Sequence, residues 1–132
     1  MKILVADDKP DILDVLQQIL EMEGYDVVTT TDGKEVLHIM HTEQPDLLLL
    51  DVWLPGCDWR DLCRQIKQQE PPCHILVILM SAHQNVQQMG VQSSADGYLQ
   101  KPFEMSTLLA TIASALKESH ARGIGRTSLP LA

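Results

Sequence analysis

Aromatic residues are scarce: of 132 residues, two are Trp, two Tyr and one Phe. Any core must therefore be built from aliphatic side chains. Cysteine is scarce too. Cys57, Cys63 and Cys73 are an odd number without metal-ligand spacing, which fits free thiols in a reducing compartment. Positive charge is outnumbered, with 10 Lys and Arg against 18 Asp and Glu and a net charge of -8. That balance argues against a general nucleic-acid surface, where phosphate backbones call for clustered Lys and Arg, and against docking to anionic lipid. Long apolar runs are missing. The longest, Ile75 to Met80, is far too short to cross a bilayer, and Lys2 is followed by only four apolar residues before Asp7, so no signal peptide is visible. A cytoplasmic location is expected.

What remains is an ordinary globular composition, 45% apolar and 21% charged, of about one domain's length. Its most informative stretch is Pro45 to Gly56, PDLLLLDVWLPG. Leu47 to Leu50 form a short unbroken apolar run bounded by turn residues, which suits a strand buried on both faces. Lys2 to Ala6 and His74 to Met80 read the same way. Tyr25 to Thr30 is β-branched and strand-like, and Gly97 to Gln100 is a short fifth strand.

Helices are expected between them. Pro10 suits a first helical turn, Ile12, Leu13, Val15, Leu16, Ile19 and Leu20 follow at helical spacing, and Gly24 is a natural stop. Asp32 can cap a second helix carrying Val36, Leu37 and Met40. A third covers about Arg60 to Gln69 and closes at Pro71-Pro72. A polar fourth lies around Asn85 to Gln92, and the last spans about Met105 to Lys117. Five alternations of strand and helix call for a parallel sheet covered on both sides. Residues 1–117 are thus expected to form the domain. Residues 118–132, ESHARGIGRTSLPLA, lose the periodicity and read as a flexible tail.

Four strands end in polar residues: Asp7-Asp8, Asp51, Ser81 and Lys101. In a parallel sheet these share the carboxyl edge, where ligands bind. Each alone is commonplace, since Asp caps helices and Ser fills turns. Together they are not. Three carboxylates in one crevice repel by about 1 kcal/mol per pair at ~4 Å in water, and by about 4 at an effective dielectric of ~20. One lysine cannot balance them, so a hard divalent ion is implied. Magnesium fits best, and it favours one or two carboxylates, waters and phosphate oxygens. The carboxylates point to a metal, and the metal to phosphate.

These residues form a pattern: DD after the first strand, D-x-x-L-P from Asp51 to Pro55, S-A at Ser81-Ala82 and Y-L-x-K-P-F from Tyr98 to Phe103. It closely resembles the receiver domain of bacterial two-component response regulators, of the chemotaxis-regulator type, over residues 1 to about 117. The resemblance implies an α/β fold, doubly wound, with five parallel strands in the flavodoxin-like order 2-1-3-4-5 and five helices. It implies that Asp51 is the phosphoacceptor, attacking a phosphohistidine of a sensor histidine kinase or phosphotransfer protein. Asp8 and Asp51 would ligate Mg2+ with the backbone carbonyl of Trp53, and Asp7 would act mostly through water. Lys101 and the Ser81 hydroxyl would hold phosphoryl oxygens. Tyr98 would enter the space that Ser81 vacates, so that a downstream protein reads the face of the fourth helix, fifth strand and fifth helix. A cis peptide before Pro102 is implied as well. Such a domain is a switch before it is an enzyme, with self-phosphorylation from a phosphodonor and slow autodephosphorylation expected.

The sequence also departs from the family. Asp58-Trp59 stands where Asp-Gly is usual, and a tryptophan at positive φ would be strained, so this loop is expected to take another path. Trp53 is bulky beside the pocket; it either limits water's access to phosphorylated Asp51 or anchors the loop at the surface. The last helix, MSTLLATIASAL, is uncharged until Lys117, which argues against a salt-bridged dimer there. His38 and His41 have helical spacing but read as a solvated face. A flavodoxin-type cofactor binder would need a hydroxyl- and glycine-rich first loop, and ADDKPD is acidic. A haloacid-dehalogenase-type phosphatase would need D-x-D, which Asp7-Asp8-Lys9 does not provide. A phosphorylation-independent interaction module on the same scaffold is the remaining alternative.

Overall fold

The structure, a computed structural model, describes residues 1–67, 75–82 and 95–121. The expected fourth helix around Asn85 to Gln92 and the Pro71-Pro72 stop lie outside the described residues, as does the expected tail beyond Ala121.

Five strands form one sheet: β1 (Lys2–Ala6), β2 (Asp26–Thr30), β3 (Leu47–Asp51), β4 (Leu76–Ser81) and β5 (Gly97–Gln100). They lie in the order β2-β1-β3-β4-β5, and every pairing is parallel. The sheet is the doubly wound α/β arrangement expected from the sequence. Its unbroken apolar strands follow from having both faces covered, because successive side chains point to opposite sides. Leu47 and Leu49 join Ile3, Val5, Ile78 and Met80 in one core. Leu48 and Leu50 join Leu4, Ala6, Val77 and Leu79 in the other. All four leucines are fully buried, each contributing roughly 1.5–3 kcal/mol relative to an exposed position.

Helix α1 (Pro10–Met22) and the C-terminal helix (Met105–Ala121) cover the first face, with Leu13, Leu16 and Leu20 meeting Leu108, Ile112 and Ala115. Helices α2 (Val36–Glu43) and α3 (Trp59–Lys67) cover the second, through Val36, Met40, Leu62, Cys63 and Ile66. Pro10 opens α1 as expected. Gly24 ends it at φ +93°, where the N–H groups of Gly24 and Tyr25 donate to the carbonyls of Glu21 and Leu20, a closing pattern that favours glycine. Asp32 caps a short 3-10 turn (Gly33–Glu35) ahead of α2, its Oδ1 accepting the Lys34 N–H at 2.9 Å.

Two expectations need correction. Val15 was expected on the apolar face of α1, yet it is 55% exposed; the stripe is wider than the sheet it covers. The C-terminal helix continues four residues beyond Lys117, to Ala121, because Glu, Ser, His and Ala can all extend a helix and nothing there stops it. Trp59 itself takes no positive φ, in keeping with the expectation that the loop would not place a tryptophan there. Gly56 takes the positive φ (+89°), and Trp59 opens α3 from inside the core.

One feature left no trace in the residue types. Gln44 closes α2 in the left-handed region (φ 47°, ψ 59°), the one non-glycine with positive φ among the described residues. That conformation costs a side-chain-bearing residue about 1 kcal/mol. Gln44→Gly is expected to stabilise the fold by about 0.5–1 kcal/mol, read as a raised urea midpoint with an unchanged m-value.

Candidate functional site

The strand register decides what meets at the carboxyl edge. Ala6 is level with Leu50, Asp51 with Met80, and Ser81 with Gln100. Asp7, Asp51, Ser81 and Lys101 thus leave the sheet side by side. Asp7, Asp8 and Asp51 each offer a carboxylate oxygen, and these oxygens lie within 4.8 Å of one another.

Asp7 is fully buried and has a partner for each oxygen. Oδ1 accepts the Lys9 N–H at 3.0 Å, and Oδ2 accepts from Lys101 Nζ at 2.7 Å. The Asp7 N–H itself donates to the Thr30 carbonyl at 3.2 Å, fixing the turn. Asp51 is almost wholly buried. Its Oδ1 accepts the Trp53 N–H at 3.1 Å, and its Oδ2 lies 3.6 Å from Lys101 Nζ. Asp8 is exposed, at the open side of the cluster.

Ser81 is buried at the end of β4, and its carbonyl accepts the Lys101 N–H at 2.7 Å. The Lys101-Pro102 peptide is cis. Tyr98, on β5, is 40% exposed. Trp53 is 68% exposed, so its indole stands in solvent while its backbone is tied to Asp51. Neither Cys57 nor Cys63 is in a disulfide, and the Cys57 thiol is pushed above its usual range by burial and by Asp58 and Asp32. His38 and His41 lie on the exposed face of α2, and among the described residues only the three aspartates group as a metal set.

Two supports of this site were not foreseen. The Lys9 N–H orients Asp7, and Gly33 packs against the loop that follows Asp51. Neither has a signal in residue type, since a backbone N–H belongs to every non-proline residue and a turn glycine is ordinary.

Burial raises the Asp51 pKa above the usual carboxylate range, and the neighbouring charges of Asp7 and Asp8 add to that; the Trp53 N–H and Lys101 oppose it. Among the described residues, three carboxylates thus face one ammonium group. The donor set is hard oxygen, open on the Asp8 side, and suits a small divalent cation that keeps room for water or phosphate.

An open parallel sheet with an acidic crevice at its carboxyl edge belongs to the class of doubly wound ligand-binding folds. The comparison with known proteins is more specific. Residues 3–113 match the response regulator receiver domain, and the chain belongs to that family. It is 40% identical over 118 residues to the alkaline phosphatase synthesis transcriptional regulatory protein PhoP of Bacillus subtilis (strain 168), covering 89% of this chain and 49% of that protein. It is 32% identical to NtrX of Brucella abortus, with a TM-score of 0.82 over 92% of this chain and 28% of that one. The BeF3-activated N-terminal receiver domain of Klebsiella pneumoniae RstA is 26% identical, with a TM-score of 0.77 over 87% of this chain and 97% of that one. The chain therefore spans about half the length of PhoP and just over a quarter of that of NtrX. No helix among the described residues is long and apolar enough to cross a membrane.

The raised pKa of Asp51 has a consequence for stability. Between the ordinary carboxylate range and its raised native value, the native state holds a proton that the unfolded state has lost, so stability falls as pH rises through that window. At neutral pH without divalent cations, Asp51→Asn is expected to melt at a higher temperature than wild type, and the difference should vanish well below the carboxylate range. Scanning calorimetry at both pH values checks this.

Proposed function

We propose that this receiver domain is a magnesium-dependent aspartyl-phosphate switch with Asp51 as phosphoacceptor. The observation that carries the reading is the convergence of Asp7, Asp8 and Asp51 within 4.8 Å, with Lys101 Nζ set between Asp7 and Asp51. That gathering is costly unless a cation and a phosphoryl group are to be bound.

Asp8, Asp51 and the Trp53 carbonyl would hold Mg2+, with Asp7 acting through water. The ion's chemistry is to neutralise charge developing on the phosphoryl oxygens. The rest falls to the protein. An Asp51 oxygen attacks phosphorus of a phosphohistidine on a sensor kinase or phosphotransfer protein; the P–O bond forms as the P–N bond breaks, and the histidine leaves. Trp53 N–H fixes the other Asp51 oxygen and so orients the attack. Lys101, already paired with Asp7 at 2.7 Å, needs only a small shift to reach a phosphoryl oxygen. Ser81 donates its hydroxyl to another, and Tyr98 then moves inward. This local charge change biases an element with two packings.

A downstream protein reads the outcome on the face of β5 and the C-terminal helix, together with the helix expected at Asn85 to Gln92, which lies outside the described residues. An apolar groove of about 700 Å³ between α1 and the C-terminal helix, lined by Ile12, Val15, Phe103 and Met105, reaches Lys101. Apolar surface beside an anionic pocket supports a protein as phosphodonor. The cytoplasm is the proposed location, since sensor kinases transfer phosphate there. The BeF3-activated form of the related RstA receiver also supports the reading.

Incubation with acetyl phosphate and Mg2+, read by intact mass, is expected to add one phosphoryl group to wild type and none to Asp51→Asn or in the presence of EDTA. Labelling that survives the substitution would refute the assignment. If Trp53 shields the acyl phosphate from water, Trp53→Asn will lose its label faster than wild type. Equal half-lives would leave Trp53 a surface anchor.

A further inference from the structure

We infer that Trp59 and Gly33 are positioning residues for the cation site, acting through the loop of residues 52–58 that carries Trp53. The inference rests on the reading of that site given above and adds what sets its affinity.

The loop is fastened on both sides of Trp53. Val52 and Leu54 are buried in the same core cluster as Trp59, while Trp53 between them faces solvent. The Val52 N–H donates to the Met80 carbonyl at 3.0 Å and the Leu54 N–H to the Asp51 carbonyl at 3.2 Å. At the far end of the loop, Trp59 is only 8% exposed. An indole buries 150–250 Å², and this one stands where the family usually has glycine. The Asp58 side chain accepts the Arg60 N–H at 2.9 Å, and the Arg60 guanidinium lies 4.7 Å from the Trp59 ring centroid. The loop therefore ends in a large buried anchor rather than a flexible joint.

Gly33 closes the loop from the opposite side. Its N–H donates to the Pro55 carbonyl at 2.9 Å. A Cβ at residue 33 would sit 2.7 Å from Cys57 Sγ and 2.8 Å from the Pro55 oxygen. Gly33 has no positive φ, so space alone requires glycine here. Alanine would suit the turn by helix propensity, but it would push directly on the loop backbone. Trp59 from the core and Gly33 from the α2 side thus hold the stretch that presents Trp53 next to Asp51.

Residues that orient a metal's ligands typically change its affinity by about 10- to 100-fold when altered. Mg2+ binding to the full chain is measured by calorimetry and by tryptophan fluorescence. Trp53 and Trp59 are the two tryptophans in the sequence, so Trp53 is the sole reporter in every Trp59 variant. Trp59→Gly and Gly33→Ala are expected to weaken Mg2+ binding by about tenfold, while Trp59→Phe stays close to wild type. Ile112→Val, which loosens the core on the other face of the sheet, is expected to leave affinity unchanged although it lowers stability. Should Trp59→Gly fail to fold, Trp59→Leu and Gly33→Ala decide the matter. Wild-type affinity in both variants of the deciding pair would overturn the inference. A wild-type chain that binds no Mg2+ would instead overturn the reading on which the inference rests.

Discussion

Asp7 and Asp51 are withdrawn from solvent at the edge of a parallel sheet, and among the described residues Lys101 is the one cation placed between them. Much of the local structure can be understood as accommodating that arrangement. A buried carboxylate is tolerable only when hydrogen bonds and opposite charge replace the water it has lost. Asp7 meets the condition through the Lys9 N–H and Lys101. Asp51 meets it incompletely, since the ammonium lies at 3.6 Å and two acidic neighbours oppose ionisation. The residual strain is electrostatic and sits on one side chain. Any ligand that brings positive charge to Asp51, or that covers its charge, is favoured by that same imbalance.

The sheet brings these groups together through register rather than through local sequence. Asp7 and Lys101 are 94 positions apart in the chain, yet β1, β3, β4 and β5 run parallel and end at nearly the same level. Burial on both faces fixes that level. Shifting a strand by one residue would exchange the leucines assigned to the two cores, which use Leu47 and Leu49 on one side and Leu48 and Leu50 on the other. The two apolar cores thus hold the polar edge in alignment, and the site inherits its geometry from hydrophobic packing.

This explains why so much was legible in the sequence. Unbroken runs such as LLLL and ILVILM, separated by helical spacing, imply a parallel sheet. A parallel sheet in turn implies that the strand-end residues Asp7, Asp51, Ser81 and Lys101 share an edge. What could not be read were features set by the exact course of the backbone. Gln44 takes a left-handed turn with no glycine to announce it. Val15 matches the apolar spacing of α1 but falls beyond the sheet's reach. The family pattern put a glycine where Trp59 stands, so the sequence could say that the loop would differ but not that Trp59 would open α3 from within the core.

The two tryptophans show how little residue type alone says about role. They are six positions apart, yet Trp53 is 68% exposed and Trp59 8% exposed. The difference follows from the path of the chain between them. Val52 and Leu54 point into the core, so Trp53 must point out. After the Gly56 turn, Asp58 caps α3 and directs Trp59 inward. A loop with its apolar side chains buried at both ends has few alternative conformations, so the cost of ordering it is met when the protein folds. Less need then be met when a ligand arrives. In such a loop the Trp53 N–H is held on Asp51 Oδ1, at 3.1 Å, by the packing on either side of it. That accounts for a polar edge which is sparse in residues yet closely arranged.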